Sequence, residues 1–304
     1  MTMSAAQKPL KFAWLEVTGF CNEHCDHCYA DSSPQGTHGA MTVDDWRDTI
    51  DQLAAMGARD VQFIGGEPTL YPYLHELIAH AHRAGFAVEV FSNMTHIRDR
   101  LWDAFQRYGV KLATSYYSDS AQDHDAVTNL RGSHRRTRQN IEQALSLGIP
   151  LRGGVVAVKP DQRVKRAVDD LVMLGVPEVG GDRTRAFGRA SRGAAPTIAD
   201  LCGHCGHEKC AIAPNGDVWP CVLGRFLTAG NVLESPLSEI WNGTRTAEVL
   251  ADITAVHGGG AQSCTPPQFL PMCGPCSPCP PSVGHCDPKV AGTSAEAATI
   301  AAPA

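Results

Sequence analysis

The chain has 304 residues, 43% of them hydrophobic and 19% charged, with a net charge of −6 at pH 7. That size fits one large domain, or one plus a small second one, and the composition fits a globular protein. The negative balance argues against nucleic acid as a partner, no stretch has the apolar length to span a bilayer, and Met1–Lys11 lack a signal-peptide core, so the expected setting is cytoplasmic, with no membrane partner.

Strand-like and helix-like segments alternate along the first two thirds. Apolar, β-rich runs fall at Phe12–Thr18, Val61–Ile64, Ala87–Ser92, Leu112–Tyr117, Val155–Val158 and Glu178–Arg185. Helical stretches lie between them at Val43–Met56, Tyr73–Ala84, Ile97–Tyr108, Arg136–Leu147 and Arg163–Leu174. Gly57, Gly85, Gly109, Gly148 and Gly175 close these helices, as expected where the chain turns left-handed to stop a helix. The basic run Arg135, Arg136, Arg138 reads as a solvated helix face. Such βα alternation predicts a parallel sheet with helices outside it, and six units predict a partial (β/α)6 TIM-like barrel. Chemistry in such sheets sits at the C-terminal strand ends.

The 12 cysteines divide the chain. Three stand at Cys21, Cys25 and Cys28; the other nine are Cys202, Cys205, Cys210, Cys221, Cys264, Cys273, Cys276, Cys279 and Cys286. In a reducing compartment such clusters read as metal ligands rather than disulfides. The expected divisions are a disordered start (1–10), a barrel (11–195), a small cysteine-rich region (196–288) and a disordered tail (289–304). The first loop has the spacing C-x3-C-x2-C. Three thiolates can hold three corners of a cubane cluster and leave the fourth iron open. Zinc is the rival, with His24 or His27 as a fourth ligand. After the second strand comes Gly65-Gly66-Glu67-Pro68, where glycine admits a close backbone approach and Glu67 could pair with an ammonium.

The cysteine triplet, with His27 in the aromatic position before Cys28, together with the GGEP sequence, resembles the radical S-adenosylmethionine (SAM) superfamily. The resemblance implies a [4Fe–4S] cluster on Cys21, Cys25 and Cys28 that cleaves SAM to a 5′-deoxyadenosyl radical. It further implies that His27, Gly65, Gly66, Glu67, Pro68, Ser92, Asn93, Ser115 and Arg152 surround SAM, with Glu67 at the methionine amino group and Arg152 near the carboxylate. The run Gly181–Arg189 falls where the adenine is expected. Tyr116, Tyr117, Asp119 and His124 are candidate proton or hydrogen partners, with N-capping by Asp119 the structural alternative.

Cys202-Gly-His-Cys205, Cys210, Gly216-Asp-Val-Trp-Pro-Cys221 and the segment Gly230–Trp241 resemble a SPASM extension, which implies one or two auxiliary [4Fe–4S] clusters. Pro214–Asp217 reads as a hairpin turn that brings Cys221 back toward the earlier cysteines. Nine cysteines exceed the eight that two fully ligated clusters need. Zinc is the alternative for Cys202/Cys205 and Cys276/Cys279, with His204, His207 or His285 joining. The resemblance implies a ribosomally made precursor peptide as substrate and a flavodoxin or ferredoxin as electron donor; leader recognition falls to a separate protein or is not required. The rival reading is a small-molecule dehydrogenase or epimerase, the latter using a spare cysteine as hydrogen donor.

Overall fold

The computed structural model describes residues 8–258. The expected disordered start and tail, and Cys264 to Cys286, lie wholly or mainly outside them. Six parallel strands, β1 (Phe12–Glu16), β2 (Asp60–Ile64), β3 (Ala87–Phe91), β4 (Lys111–Tyr116), β5 (Leu151–Ala157) and β6 (Glu178–Arg183), form the body. Helices α1 (Val43–Ala55), α2 (Leu74–Arg83), α3 (Asp99–Arg107), α4 (Ala121–Thr128), α5 (Ser133–Ser146) and α6 (Val164–Met173) connect them. The C-terminal part adds β7 (Lys209–Ile212), β8 (Asp217–Trp219), β9 (Gly230–Asn231), α7 (Leu237–Asn242) and α8 (Thr244–His257).

All six strands occur where the alternation predicts them, and each helix-stop glycine named above has positive φ, from 62° to 90°. Two details were hidden. β5 starts at Leu151 because Gly153 and Gly154 belong to the strand; a Cβ on Gly153 would stand 2.8 Å from Leu171 Cδ1 of α6, so the gap lets that helix pack. Helix α4 carries few apolar residues and buries only His124, Val127 and Thr128, so no apolar stripe announced it.

The strand order is β6-β5-β4-β3-β2-β1-β7-β8-β9. β7 lies parallel to β1, with Phe12 opposite Lys209 and Trp14 opposite Ala211, and β8 and β9 follow antiparallel. The sheet therefore runs on across the expected boundary at 195/196. The hairpin at Pro214–Asp217 is present, with Gly216 at φ +90°.

β1 is buried along its whole length because it is covered on both faces. Its outward residues Ala13 and Leu15 join Phe63, Val90 and Leu112 under Trp46, Ile50 and Leu53 of α1 and Leu74 and Leu77 of α2. Its inward residues Phe12 and Trp14 join Ile64, Phe91 and Ala113, and these pack against Trp219, Cys205 and Cys221. The C-terminal region thus closes the inner side of the barrel.

The barrel floor is polar. Arg152 donates from Nε to Glu89 Oε2 at 2.9 Å and from Nη2 to Oε1 at 2.7 Å, Gln62 Nε2 donates to Glu89 Oε1, and all three residues are buried. Arg152 is the second residue of β5, roughly 16 Å of strand below its C-terminal end at 3.3 Å per residue. A cavity lined by Lys111, Pro150, Arg152, Pro177 and Glu178 opens at this lower face. The expected contact of Arg152 with the SAM carboxylate is therefore corrected: its fork is committed to Glu89 at the far end of the strand.

Breaking this pair leaves a buried charge alone. Arg152→Met is expected to cost about 3–5 kcal/mol in denaturant unfolding, and Arg152→Met/Glu89→Met to regain most of it. A double variant as unstable as the single one would contradict this account.

Candidate functional site: two cysteine groups on one inner core

The three-cysteine loop leaves the C-terminal end of β1 and is laced to its surroundings through its backbone. Cys21 N–H donates to Ser33 O at 3.0 Å, Cys28 N–H to Cys25 O at 3.2 Å, and Gly19 N–H to Thr37 O at 2.8 Å. The turn after β2 lies directly against it: Gly66 N–H donates to Thr18 O at 2.7 Å and Glu67 N–H to Phe20 O at 2.8 Å. A Cβ on Gly66 would fall 2.3 Å from Phe20 O and 3.0 Å from Cys21 Cβ; on Gly65, at φ +151°, it would fall 2.4 Å from Thr18 O. Both glycines are therefore required by contact with the cysteine loop itself, and Pro68 opens the short 3-10 turn that follows.

Glu67 has a structural task as well as the one expected of it. Its carboxylate is fully buried and accepts from Thr69 N–H, Thr69 Oγ1, Ser92 Oγ and Asn93 N–H at 2.7–3.0 Å. Burial pushes its pKa up and these bonds pull it down. Glu67 thus ties the end of β3 to the glycine turn, with three of these bonds on Oε1 and one, from Asn93 N–H, on Oε2, which keeps capacity to accept a further donor. Ser92 is consumed by the same network. Asn93 Nδ2 donates to Asn22 Oδ1 at 2.9 Å and points to Cys21 Sγ at 3.8 Å, so it steadies the cysteine loop. Ser115 differs: its Oγ is buried near the end of β4 with no hydrogen-bond partner, which suits a ligand contact.

The thiols sit among acids. Burial, then Glu23 and Glu67, push Cys21 up; burial pushes Cys28 up, opposed first by Arg189. Buried Glu23 is raised to about 8 and accepts from Cys25 Sγ at 3.3 Å. Protonated thiols are favoured here, so metal binding must release protons. His24 is exposed; His27 is buried with both ring nitrogens unpartnered and its ring edge-on to Tyr117 at 5.0 Å. Among the described residues no three His, Cys, Asp or Glu side chains converge as ligands of a single ion. A loop of three thiols with no disulfide partner, pinned at its backbone, fits the corners of a cluster better than a lone zinc.

The second cysteine group forms on the inner side of the sheet. Cys205 and Cys221 stand with Sγ atoms 2.9 Å apart, and Cys202 bonds to Cys205 as well. Cys210 does not join them. It alternates to the outer face of β7, packed with Ala13 and Ile212 in the core beneath the helices, and burial alone pushes it up to about 12. The expectation of Cys210 as a metal ligand is therefore corrected. Its removal from the nine leaves eight, the number two fully ligated clusters require. His207 is exposed and His204 half-buried.

Arg225 joins the two groups. Four residues after Cys221, it donates from Nη1 to Glu16 Oε2 at 2.6 Å, and its guanidinium lies 4.3 Å from the Trp219 ring centre and 5.8 Å from that of Tyr29, the residue after Cys28. Sequence reasoning passed over both partners. A carboxylate ending the otherwise apolar strand β1 was a usable signal for Glu16, whereas nothing local marks Arg225.

The candidate proton partners form a buried stack behind the loop. His124 lies 5.1 Å from Tyr116, 5.2 Å from Tyr117 and 5.3 Å from His134, ring centre to ring centre. Tyr116 Oη pairs with His134 Nε2 at 2.8 Å and donates to Asp170 at 2.6 Å, on the outer side of the strand. Asp119 pairs with Arg163, and Ser120 rather than Asp119 caps α4.

Residues 15–174 match the radical SAM superfamily, and residues 202–280 match an iron–sulfur cluster-binding domain. The first match covers more than half of the chain, which therefore belongs to the radical SAM superfamily. Curated relatives include the PqqA peptide cyclase of Streptomyces rochei, 26% identical over 76% of this chain and 75% of that protein. Another is the antilisterial bacteriocin subtilosin biosynthesis protein AlbA of Bacillus subtilis, 24% identical over 76% of this chain and 59% of that one. Streptococcus suis SuiB, solved with its precursor peptide SuiA, shares the fold with a TM-score of 0.66 at 17% identity, over 81% of this chain and 67% of that one. The chain is thus an enzyme of the radical SAM class with iron–sulfur and SAM cofactors. No helix among the described residues is long and apolar enough to cross a membrane.

Two outcomes follow. Reconstituted Cys210→Ala should keep its full iron content, whereas Cys221→Ala should lose about four irons per chain by metal analysis. His124 is buried neutral, its pKa lowered to about 3 mainly by burial. A depressed imidazole contributes stability above its unfolded value near 6.5 and loses it as pH falls toward the folded value. Between pH 7.5 and 5.5 this amounts to about 1.4 kcal/mol. Urea unfolding of His124→Phe should show a pH slope flatter by that amount.

Proposed function

We propose that this chain modifies a ribosomally made precursor peptide, forming an oxidative crosslink or altering a side chain in another way. The observation that carries the reading is that Tyr29, beside Cys28, shares one inner core with Cys205 and Cys221, and that Glu16 at the end of β1 pairs with Arg225 of the segment after Cys221. Its support outside the chain is the named activity of the PqqA peptide cyclase, the bacteriocin role of AlbA, and the likeness in fold to SuiB, a protein solved with its precursor peptide.

When bound, a [4Fe–4S] cluster on Cys21, Cys25 and Cys28, with SAM at its open iron, supplies the electron that cleaves SAM to a 5′-deoxyadenosyl radical. The chain's own groups do the rest. Gly65 and Gly66 bring backbone to the loop, Glu67 holds that turn to the end of β3, and Ser115 offers an unused hydroxyl inside the barrel. Trp14, Phe91 and Trp219 line the inner side and exclude water. Cys202, Cys205 and Cys221 would hold part of an auxiliary cluster, which when bound would supply an acceptor for an electron from the substrate and so allow net oxidation. A flavodoxin or ferredoxin supplies the reducing electron, and a separate protein binds the leader. An epimerase would need a cysteine to return hydrogen, and Cys210 is walled off on the outer side of the sheet.

Incubation of the reconstituted protein with SAM, reductant and a peptide encoded beside its gene should yield 5′-deoxyadenosine and a peptide lighter by two hydrogens per crosslink. Cys25→Ala should abolish both while keeping the C-terminal iron. Formation of 5′-deoxyadenosine with a sugar or alcohol, and never with a peptide, would move the assignment to small-molecule oxidation.

A further inference from the structure

The exit of β6 reaches back to the three-cysteine loop. Arg189, in a short 3-10 turn at Gly188–Ser191, makes four contacts there. Its N–H donates to Cys28 O at 3.0 Å, Nε to Cys25 O at 2.8 Å, Nη2 to Ser32 O at 2.6 Å, and Nη1 pairs with Asp31 Oδ1 at 2.9 Å. One planar fork thus spans the loop from Cys25 to Ser32, which a lysine could not do with a single ammonium. Gly188 makes the approach possible. At φ +53°, a Cβ there would stand 2.3 Å from Cys28 O and 2.4 Å from Tyr29 O. The braced segment includes Asp31 at φ +57°, a left-handed conformation costly for a residue with a Cβ and needing outside support.

We propose that Arg189 is a positioning residue for the N-terminal centre, clasping the loop between Cys25 and Ser32 and setting with its charge how readily that centre accepts an electron. The inference rests on the reading of this loop as a [4Fe–4S] site. The Arg189 side chain is only 16% exposed, whereas its partner Asp31 is 71% exposed. Water therefore screens the carboxylate more than the guanidinium, and positive charge prevails on the side facing Cys25 and Cys28. Of the other charges close by, Arg225 and Glu16 face each other as a pair, and Glu23 is itself buried against Cys25. Adding an electron makes a thiolate-bound centre more negative, so a fixed cation beside it favours the reduced state; local charge and hydrogen bonding are known levers on cluster potentials.

The test compares reconstituted wild type with Arg189→Met, Arg189→Lys and Gly188→Ala. Each is titrated by EPR-monitored reduction, following the signal that changes when SAM is added, and challenged with an iron chelator. Arg189→Met is expected to move the midpoint to a more negative potential. Arg189→Lys should restore most of that shift by keeping the charge, yet release iron to the chelator faster than wild type because the fork is lost. Gly188→Ala, which displaces the arginine without removing it, should shift in the same direction as the methionine variant. A midpoint unchanged in Arg189→Met, or moved equally in the lysine and methionine variants, overturns the electrostatic role while leaving the site intact. If no signal of the wild type responds to SAM, the reading of the loop falls and this inference with it.

Discussion

The backbone contact between the cysteine loop and the glycine turn is the constraint on which the rest of the structure leans. Thr18 and Phe20 offer their carbonyls to Gly66 and Glu67, and no side chain fits between the two segments. Parallel pairing of β1 with β2 brings these strand ends together in register, with Glu16 beside Ile64. Loss of that contact would free the thiol of Cys21 from its wall and the Glu67 carboxylate from its place above β3. The site is thus built on strand ends that cannot shift independently, which is how a rigid scaffold gives precision to groups carried on loops.

A second consequence concerns charge. The barrel interior holds several buried charged side chains, and three acids among them are answered by specific partners. Glu89 meets Arg152 on the floor, Glu16 meets Arg225 at the mouth, and Glu67 is satisfied by hydroxyls and backbone N–H groups. Such pairs are poor sources of net stability but costly to break singly, so they fix one arrangement. Arg225 and Arg189 approach the cysteine loop from different segments of the chain. The loop is therefore held by the β2 exit, the β6 exit and the C-terminal turn at once.

The C-terminal region is less a separate module than a continuation of the sheet. By adding β7 alongside β1 it places Cys205 and Cys221 on the inner side and Cys210 on the outer side. A strand alternates its side chains, so the burial of Cys210 away from its neighbours follows from the pleat alone once the strand is recognised.

Much of this was legible in the residues. Strand and helix order, the glycine stops, the thiol triplet and its partner GGEP sequence are local patterns, and local patterns follow from backbone sterics and spacing. What the chain order could not convey was which distant groups meet. Arg152 reads as a cofactor ligand until it is seen as the second residue of β5, paired with Glu89; Glu67 reads as a lone acid until Thr69, Ser92 and Asn93 close round it. Cys210 reads as one more ligand until β7 is paired with β1, Arg189 is marked only as the end of the run Gly181–Arg189, and Arg225 carries no mark at all. Periodicity is a property of neighbours along the chain and is fixed by the amino acids themselves. The partner of a buried charge is a property of the folded sheet, because only register and strand direction decide what lies across from it.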